Sequence, residues 1–213
     1  MTKVIVFDLD GTIVDSMGYL ANFAGKLIND AYGLSLAMSK RLFLLTSGIP
    51  FCEQMELLFP GKEKNNEIVA EFEHLKEENM LKYSLYPETW EVFQELANKG
   101  YKLAISSSNA QHIIENYLEY SGLKVDLVCG YKNKKFGKGK PHFEAIMKYF
   151  AVGADKLIFV GDSQKDYERA KGNSIEFIAR AGTFTVEELK ETGVKWVIKD
   201  LYELPGLLEQ KSD

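Results

Sequence analysis

Residues 4–12 read VIVFDLDGT, an apolar run that ends in two aspartates one residue apart and then in Gly11 and Thr12. Residues 3–7 are predicted to form a short buried strand, because β-branched Val and Ile crowd a segment far too short to cross a membrane. Side chains alternate along a strand, so Asp8 and Asp10 are expected to project to the same side. Two carboxylates ~4 Å apart repel by roughly 4 kcal/mol at an effective dielectric of 20, so the pair calls for something positive between them.

Outward from this strand the pattern changes. From residue 16 to about residue 84 the apolar spacing is helical, with segments at 16–32, 36–46, 50–59 and 63–81 separated by Gly33, by Gly48-Ile49-Pro50 and by Pro60-Gly61. After Tyr86-Pro87, helical stretches (88–99, then from Asn109, from Pro141 and from Gln164) alternate with the short apolar runs KLAIS, DLVCG, KLIFVGD and IEFIA. Alternation of this kind implies a parallel sheet covered on both faces. A lone strand has no partner inside a helical unit, so the first strand is assigned to the later sheet. The predicted fold is therefore α/β, a Rossmann-like parallel sheet made of residues 1–15 and 85–213, interrupted by a helical unit of residues 16–84.

Composition narrows the function classes. The 213 residues are 46% hydrophobic and 27% charged, with a net charge of −5, an ordinary globular balance that argues against nucleic acid as a partner. The two cysteines, Cys52 and Cys129, form no CxxC pair, so neither a disulfide framework nor a zinc site is indicated. No run approaches the ~20 apolar residues of a spanning helix, and the N-terminal apolar run is too short for a signal peptide. The expectation is a cytoplasmic monomer or weak homo-oligomer with no membrane partner.

In open α/β sheets, ligands bind beyond the carboxyl ends of the strands. After the successive runs stand Asp8-Leu9-Asp10-Gly11-Thr12, Ser106-Ser107-Ser108-Asn109, Gly139-Lys140-Pro141 and Gly161-Asp162-Ser163-Gln164-Lys165-Asp166. Any one of these is ordinary turn or cap chemistry: an Asp at a turn, a Ser or Asn before a helix, a lysine in a solvated charge run. Their coincidence at one sheet edge, with the residue types that bind a metal and a phosphate, is what carries a functional reading. A P-loop is excluded by spacing, since six residues separate Gly130 from Gly137 and Gly139 stands where Ser or Thr would hold a metal. His74, His112 and His142 show no ligand spacing and are expected on surfaces or helix faces.

These four clusters resemble, in order, the signatures of the haloacid dehalogenase superfamily of phosphotransferases: FDLDGT, KLAISS, GKP and VGDSQKD. The inserted helical unit is similar in position to the cap of its phosphoglycolate phosphatase and β-phosphoglucomutase branch. The resemblance implies a Mg²⁺-dependent phosphatase acting on a small phosphorylated metabolite through an aspartyl-phosphate. Asp8 would be the nucleophile, and Asp10 the general acid that later activates water. Asp8, the backbone carbonyl of Asp10 and Asp162 would hold the metal, with Asp166 orienting metal-bound water or Lys140. Ser107 and Lys140 would bind phosphate oxygens, with Ser108 next in line, although the run itself does not decide between Ser106 and Ser107. The alternative is a phosphosugar mutase of the same superfamily, disfavoured because the segment Tyr19-Leu20-Ala21 lacks the histidine usual there. A dehalogenase would lack Asp10. A signalling receiver would carry adjacent acids after its first strand and no inserted unit.

Overall fold

A computed structural model describes residues 3–133 and 135–211. The chain divides into two compact units, one of Met1–Val14 with Leu85–Asp213 and the other of Asp15–Ser84.

The second unit is helical throughout: α1 (Met17–Tyr32), α2 (Leu36–Leu45), α3 (Phe51–Leu58) and α4 (Lys64–Asn79), closed by a 3₁₀ turn at Met80–Lys82. Its helices end where the sequence predicts breaks. Gly33 takes φ 69°, the left-handed conformation that closes α1 and that a side chain would resist. The inward faces meet in an aromatic cluster, with Phe51 and Phe72 ring centroids 4.1 Å apart and Phe43 within 6 Å of both.

The first unit is a six-stranded parallel sheet of β1 (Val4–Phe7), β2 (Lys102–Ala110), β3 (Leu127–Tyr131), β4 (Leu157–Gly161), β5 (Glu176–Arg180) and β6 (Trp196–Ile198), ordered β3-β2-β1-β4-β5-β6. The connecting helices are α5 (Thr89–Asn98), α6 (Gln111–Ser121), α7 (Lys140–Phe150), α8 (Gln164–Gly172), α9 (Val186–Glu191) and α10 (Glu203–Gln210). Every residue of β1 is fully buried, as expected of a central strand covered on both faces. Alternation divides it: Val4 and Val6 pack in a core with Phe143, Phe159 and Phe177, while Phe7 meets Phe93 of α5 at 4.5 Å.

The α/β reading, with the first strand inside the later sheet, is what the structure contains. Sequence reading missed β6, α9 and α10. Trp196–Ile198 is only three residues long and shows no period, and α10 carries Pro205-Gly206, which reads as a break. The helix expected from Asn109 begins at Gln111, because β2 runs on through Ala110.

Candidate active site

The site stands where the strand order reverses. Strands β2 and β4 flank β1, and the parallel register puts Phe7 level with both Ile105 and Val160. Whatever follows these three strands must therefore emerge side by side. The Asp8 amide still donates to the carbonyl of Val160 at 2.9 Å, and then the chain leaves the sheet. The carbonyl of Leu9 accepts from the amides of Thr12, Ile13 and Val14 in one tight turn. Asp10 thus sits on a turn rather than on the strand, and alternation does not govern it. Asp8 is buried, whereas Asp10 is half-buried and receives a hydrogen bond from Asn109.

Three carboxylates gather here, the two expected to hold a metal and Asp166, expected beside them in a supporting part. Asp8, Asp162 and Asp166 are all buried and offer oxygens within 4.8 Å of one another, and the Asp10 side chain is not among them. Asp162 follows β4 directly, and Asp166 lies in the first turn of α8. Ser163 caps that helix by accepting from the Asp166 amide, and its hydroxyl donates to Asp166 Oδ2 at 2.9 Å. Gly11 makes room for Asp162. It has φ 76°, and a Cβ there would lie 2.1 Å from Asp162 Oδ2, so only glycine fits this turn. Thr183 Oγ1 donates to the same Asp162 oxygen.

The positive partner is Lys138, not Lys140. Lys138 Nζ lies 2.8 Å from Asp8 Oδ1 and 2.6 Å from Asp166 Oδ1, with its side chain only 3% exposed. The Lys140 side chain is 72% exposed and reaches Glu144 on its own helix at 3.8 Å, so the expectation that Lys140 joins the phosphate site is corrected. The reason lies in the backbone. Lys140 is the first residue of α7, and Gly139 before it takes φ 113°, which directs Lys138 inward and leaves Lys140 on the outer face of the helix start. Asp166 accordingly orients Lys138, and Arg169 Nη1 adds a second contact to it at 3.2 Å.

The electrostatics are unbalanced toward the acids. Burial pushes the Asp8 carboxyl up to about 7, against the pull of Lys138 and with the further push of Asp166 and Asp10. Asp162 is raised well above the carboxylate range by burial and by the charges of Asp8 and Asp166. Burial opposes the charge on Lys138, but Asp166 and Asp8 outweigh it, and its pKa ends above the ordinary lysine value. Two carboxylates 4.8 Å apart repel by roughly 3 kcal/mol at an effective dielectric of 20, and one ammonium cannot neutralise three. An all-oxygen, buried, over-acidic donor set is the kind that a hard divalent cation such as Mg²⁺ takes.

The other predicted residues divide between the two sides of β2. Ser106 Oγ is 2.9 Å from His142 Nδ1 and is thereby turned away to the α7 side. Ser107 is buried and accepts from the Asn109 amide at 3.1 Å, and Ser108 beside it is half-buried. His142, expected on a surface or helix face, is fully buried on the inner side of α7, and burial together with Lys138 lowers its pKa to about 4. Sequence reasoning also missed a buried pair behind the first turn. Arg180 Nη2 is 3.0 Å from Glu88 Oε1, Arg180 Nη1 reaches the Gly11 carbonyl at 3.4 Å, and the guanidinium lies 3.4 Å from the centre of the Tyr86 ring. No period or motif marks that pair, since it joins residues 92 positions apart.

Comparison with known proteins agrees with this geometry. The family described as haloacid dehalogenase-like hydrolase matches residues 5–180, a span that holds all three buried acids and Lys138. A pyrophosphatase of Anoxybacillus flavithermus is 26% identical over 99% of this chain and 94% of its own length. A phosphoglycolate phosphatase of Aquifex aeolicus is 27% identical over 86% of this chain and 83% of its own. Among solved structures, a hydrolase from Pseudomonas syringae has a TM-score of 0.81 at 20% identity, covering 98% of this chain and 99% of that one, a likeness of fold.

Proposed function

The chain belongs to the haloacid dehalogenase-like hydrolases, and on that premise we propose that it is a Mg²⁺-dependent phosphatase that cleaves a small phosphorylated metabolite through an aspartyl-phosphate on Asp8. The observation that carries this reading is the buried group of Asp8, Asp162 and Asp166 gripped by Lys138 at the switch point of the sheet. Relatives named as phosphoglycolate phosphatases and pyrophosphatases support phosphoryl chemistry on small anions.

Each residue has a distinct part. Asp8, at the end of the central strand, is held by its backbone bond to Val160 and by Lys138, so its carboxylate oxygen is fixed for in-line attack on phosphorus. The phosphorus–oxygen bond to the alcohol breaks as the Asp8 oxygen–phosphorus bond forms, and Asp10 gives its proton to the departing oxygen. Asp10, then a carboxylate, takes a proton from the water that attacks phosphorus, and the acyl phosphate is released as inorganic phosphate. Lys138 and the Ser107 hydroxyl hold the charge that spreads over the phosphoryl oxygens. Asp8, Asp162 and the backbone carbonyl of Asp10 would hold Mg²⁺, whose chemistry is to neutralise charge on the phosphoryl group. Asp166 keeps Lys138 in place.

A panel of 2-phosphoglycolate, pyrophosphate, sugar phosphates and nucleotides, assayed for released phosphate with and without Mg²⁺, tests this. Release from at least one small ester that chelator abolishes and Mg²⁺ restores is the expected result. Full turnover in excess chelator, or no release from any of them, would overturn it. Isomerised sugar phosphate without net phosphate release would instead point to a mutase.

A further inference from the structure

Asn109 is buried at the end of β2, a position usual for a helix cap, yet it caps nothing: α6 begins two residues later and has no side-chain cap. Its amide is used elsewhere. Asn109 Nδ2 donates to Asp10 Oδ2 at 2.8 Å across 99 residues of sequence, and the Asn109 backbone amide is tied to Ser107 Oγ at 3.1 Å. The orientation of the side-chain amide is fixed by chemistry. Turned over, its carbonyl oxygen would face a carboxylate oxygen at hydrogen-bond distance, acceptor against acceptor. In the orientation present, Asn109 Oδ1 is buried without a hydrogen-bond partner among the described residues, a cost of about 1–3 kcal/mol. A costly arrangement that persists is one the surroundings impose.

From this geometry we infer that Asn109 is a positioning residue for Asp10: by holding Oδ2 it helps fix the plane of the carboxyl group and assigns to Oδ1 the exchange of the proton with the leaving group and with water. The inference rests on Asp10 being the acid and base of the proposed reaction. An unprotonated acceptor oxygen is what an amide N–H holds, so the transferable proton is carried on the other oxygen. The turn that bears Asp10 is closed by bonds of its backbone, Thr12, Ile13 and Val14 to the Leu9 carbonyl and Gly11 to the Val14 carbonyl, and these place the Asp10 backbone without setting the angle of its carboxyl group. The link also ties Asp10 to the end of β2 that carries Ser107, so the acid and the proposed phosphate ligand share one hydrogen-bonded chain through Asn109.

The experiment is single-turnover phosphorylation of the enzyme, with Mg²⁺, by an alkyl ester (2-phosphoglycolate) and an aryl ester (4-nitrophenyl phosphate). The proteins are wild type, Asn109→Asp, Asn109→Ala and Asp10→Asn. An aryl oxide departs without a proton, so a misplaced acid harms only the alkyl ester. For both Asn109 variants the maximal phosphorylation rate with the alkyl ester should fall about 10- to 100-fold with little change in the half-saturating concentration, and the aryl rate should stay within about threefold. Asn109→Asp keeps the shape but trades the donor for a charge, and Asn109→Ala removes the donor without adding a charge, so agreement between them leaves the lost hydrogen bond to Asp10 as the shared cause, and an unchanged aryl rate excludes misfolding. Equal losses on the two esters, or no loss on the alkyl ester, would overturn the role of Asn109 when Asp10→Asn still discriminates between them. If Asp10→Asn itself does not discriminate, it is the acid assignment that fails, and the inference with it.

Discussion

Replacing Lys138 by Met keeps the stem and removes the charge, and the structure sets how much that should cost. Two contacts, 2.8 Å to Asp8 and 2.6 Å to Asp166, are lost from a site where the side chain is 3% exposed. Each is worth roughly 6 kcal/mol by Coulomb's law at an effective dielectric of 20, before the desolvation of the ammonium is subtracted. Breaking a buried pair from one side costs about 3–5 kcal/mol, because the partner charge is left behind, and here two partners are left. At a urea dependence of about 2 kcal/mol per molar, the midpoint at pH 7.5 in chelator should drop by about 2 M. Lys140→Met is the matched control. Its ammonium is exposed and 3.8 Å from Glu144, so the change should cost no more than about 0.5 kcal/mol. Phosphate release with Mg²⁺ should fall at least ~10²-fold for Lys138→Met, as for loss of one charge-stabilising donor, and stay within about twofold for Lys140→Met. A larger loss from Lys140→Met than from Lys138→Met, in either assay, would refute the assignment.

Two further outcomes follow from buried titratable groups outside the carboxylate cluster. His142 has its pKa lowered to about 4 against 6.5, so between these values the unfolded chain binds the proton first and stability falls as pH falls, by about 3 kcal/mol over the window. Urea titrations of wild type and His142→Gln at pH 7 and pH 4.5 should show the wild type losing more on acidification, and parallel losses would refute this. Burial opposes ionisation of Glu88, but its own backbone amide, Arg180 and the Leu201 amide outweigh it and lower its pKa below 4.5, so the stability it contributes is present above that value and is lost as pH falls through the folded one. Glu88→Gln should therefore cost about 3–5 kcal/mol at pH 7, and the gap to wild type should narrow below pH 4; a gap constant with pH would contradict the ionised pair.

What could be read from the sequence follows from which signals are local. The central strand, the parallel sheet and the helical breaks at Gly33 and Pro60-Gly61 are written in period and punctuation, and the acids Asp8, Asp162 and Asp166 stand in short motifs tied to strand ends. Lys138 was not legible because KGK offers two lysines two residues apart, and only the backbone at Gly139 decides which turns inward. Strand alternation is not what places Asp10 relative to Asp8, because the strand ends at Phe7 and the turn on the Leu9 carbonyl carries Asp10, close enough for its charge to act on Asp8. His142 reads as a helix-face residue until its partner Ser106, 36 positions earlier, is seen across the core. The Arg180–Glu88 pair and the Asn109–Asp10 bond are likewise contacts between distant segments, which neither propensity nor spacing encodes.

The central claim is that phosphoryl transfer passes through Asp8. Rapid quenching in acid after mixing the Mg²⁺-loaded enzyme with 4-nitrophenyl phosphate, followed by peptide mass spectrometry, reads it directly. One phosphoryl group should appear on the peptide bearing Asp8, sensitive to hydroxylamine as an acyl phosphate is, formed and lost at rates that account for turnover, and absent from Asp8→Asn. Turnover with no adduct on Asp8, or an adduct on any other residue, would contradict the account.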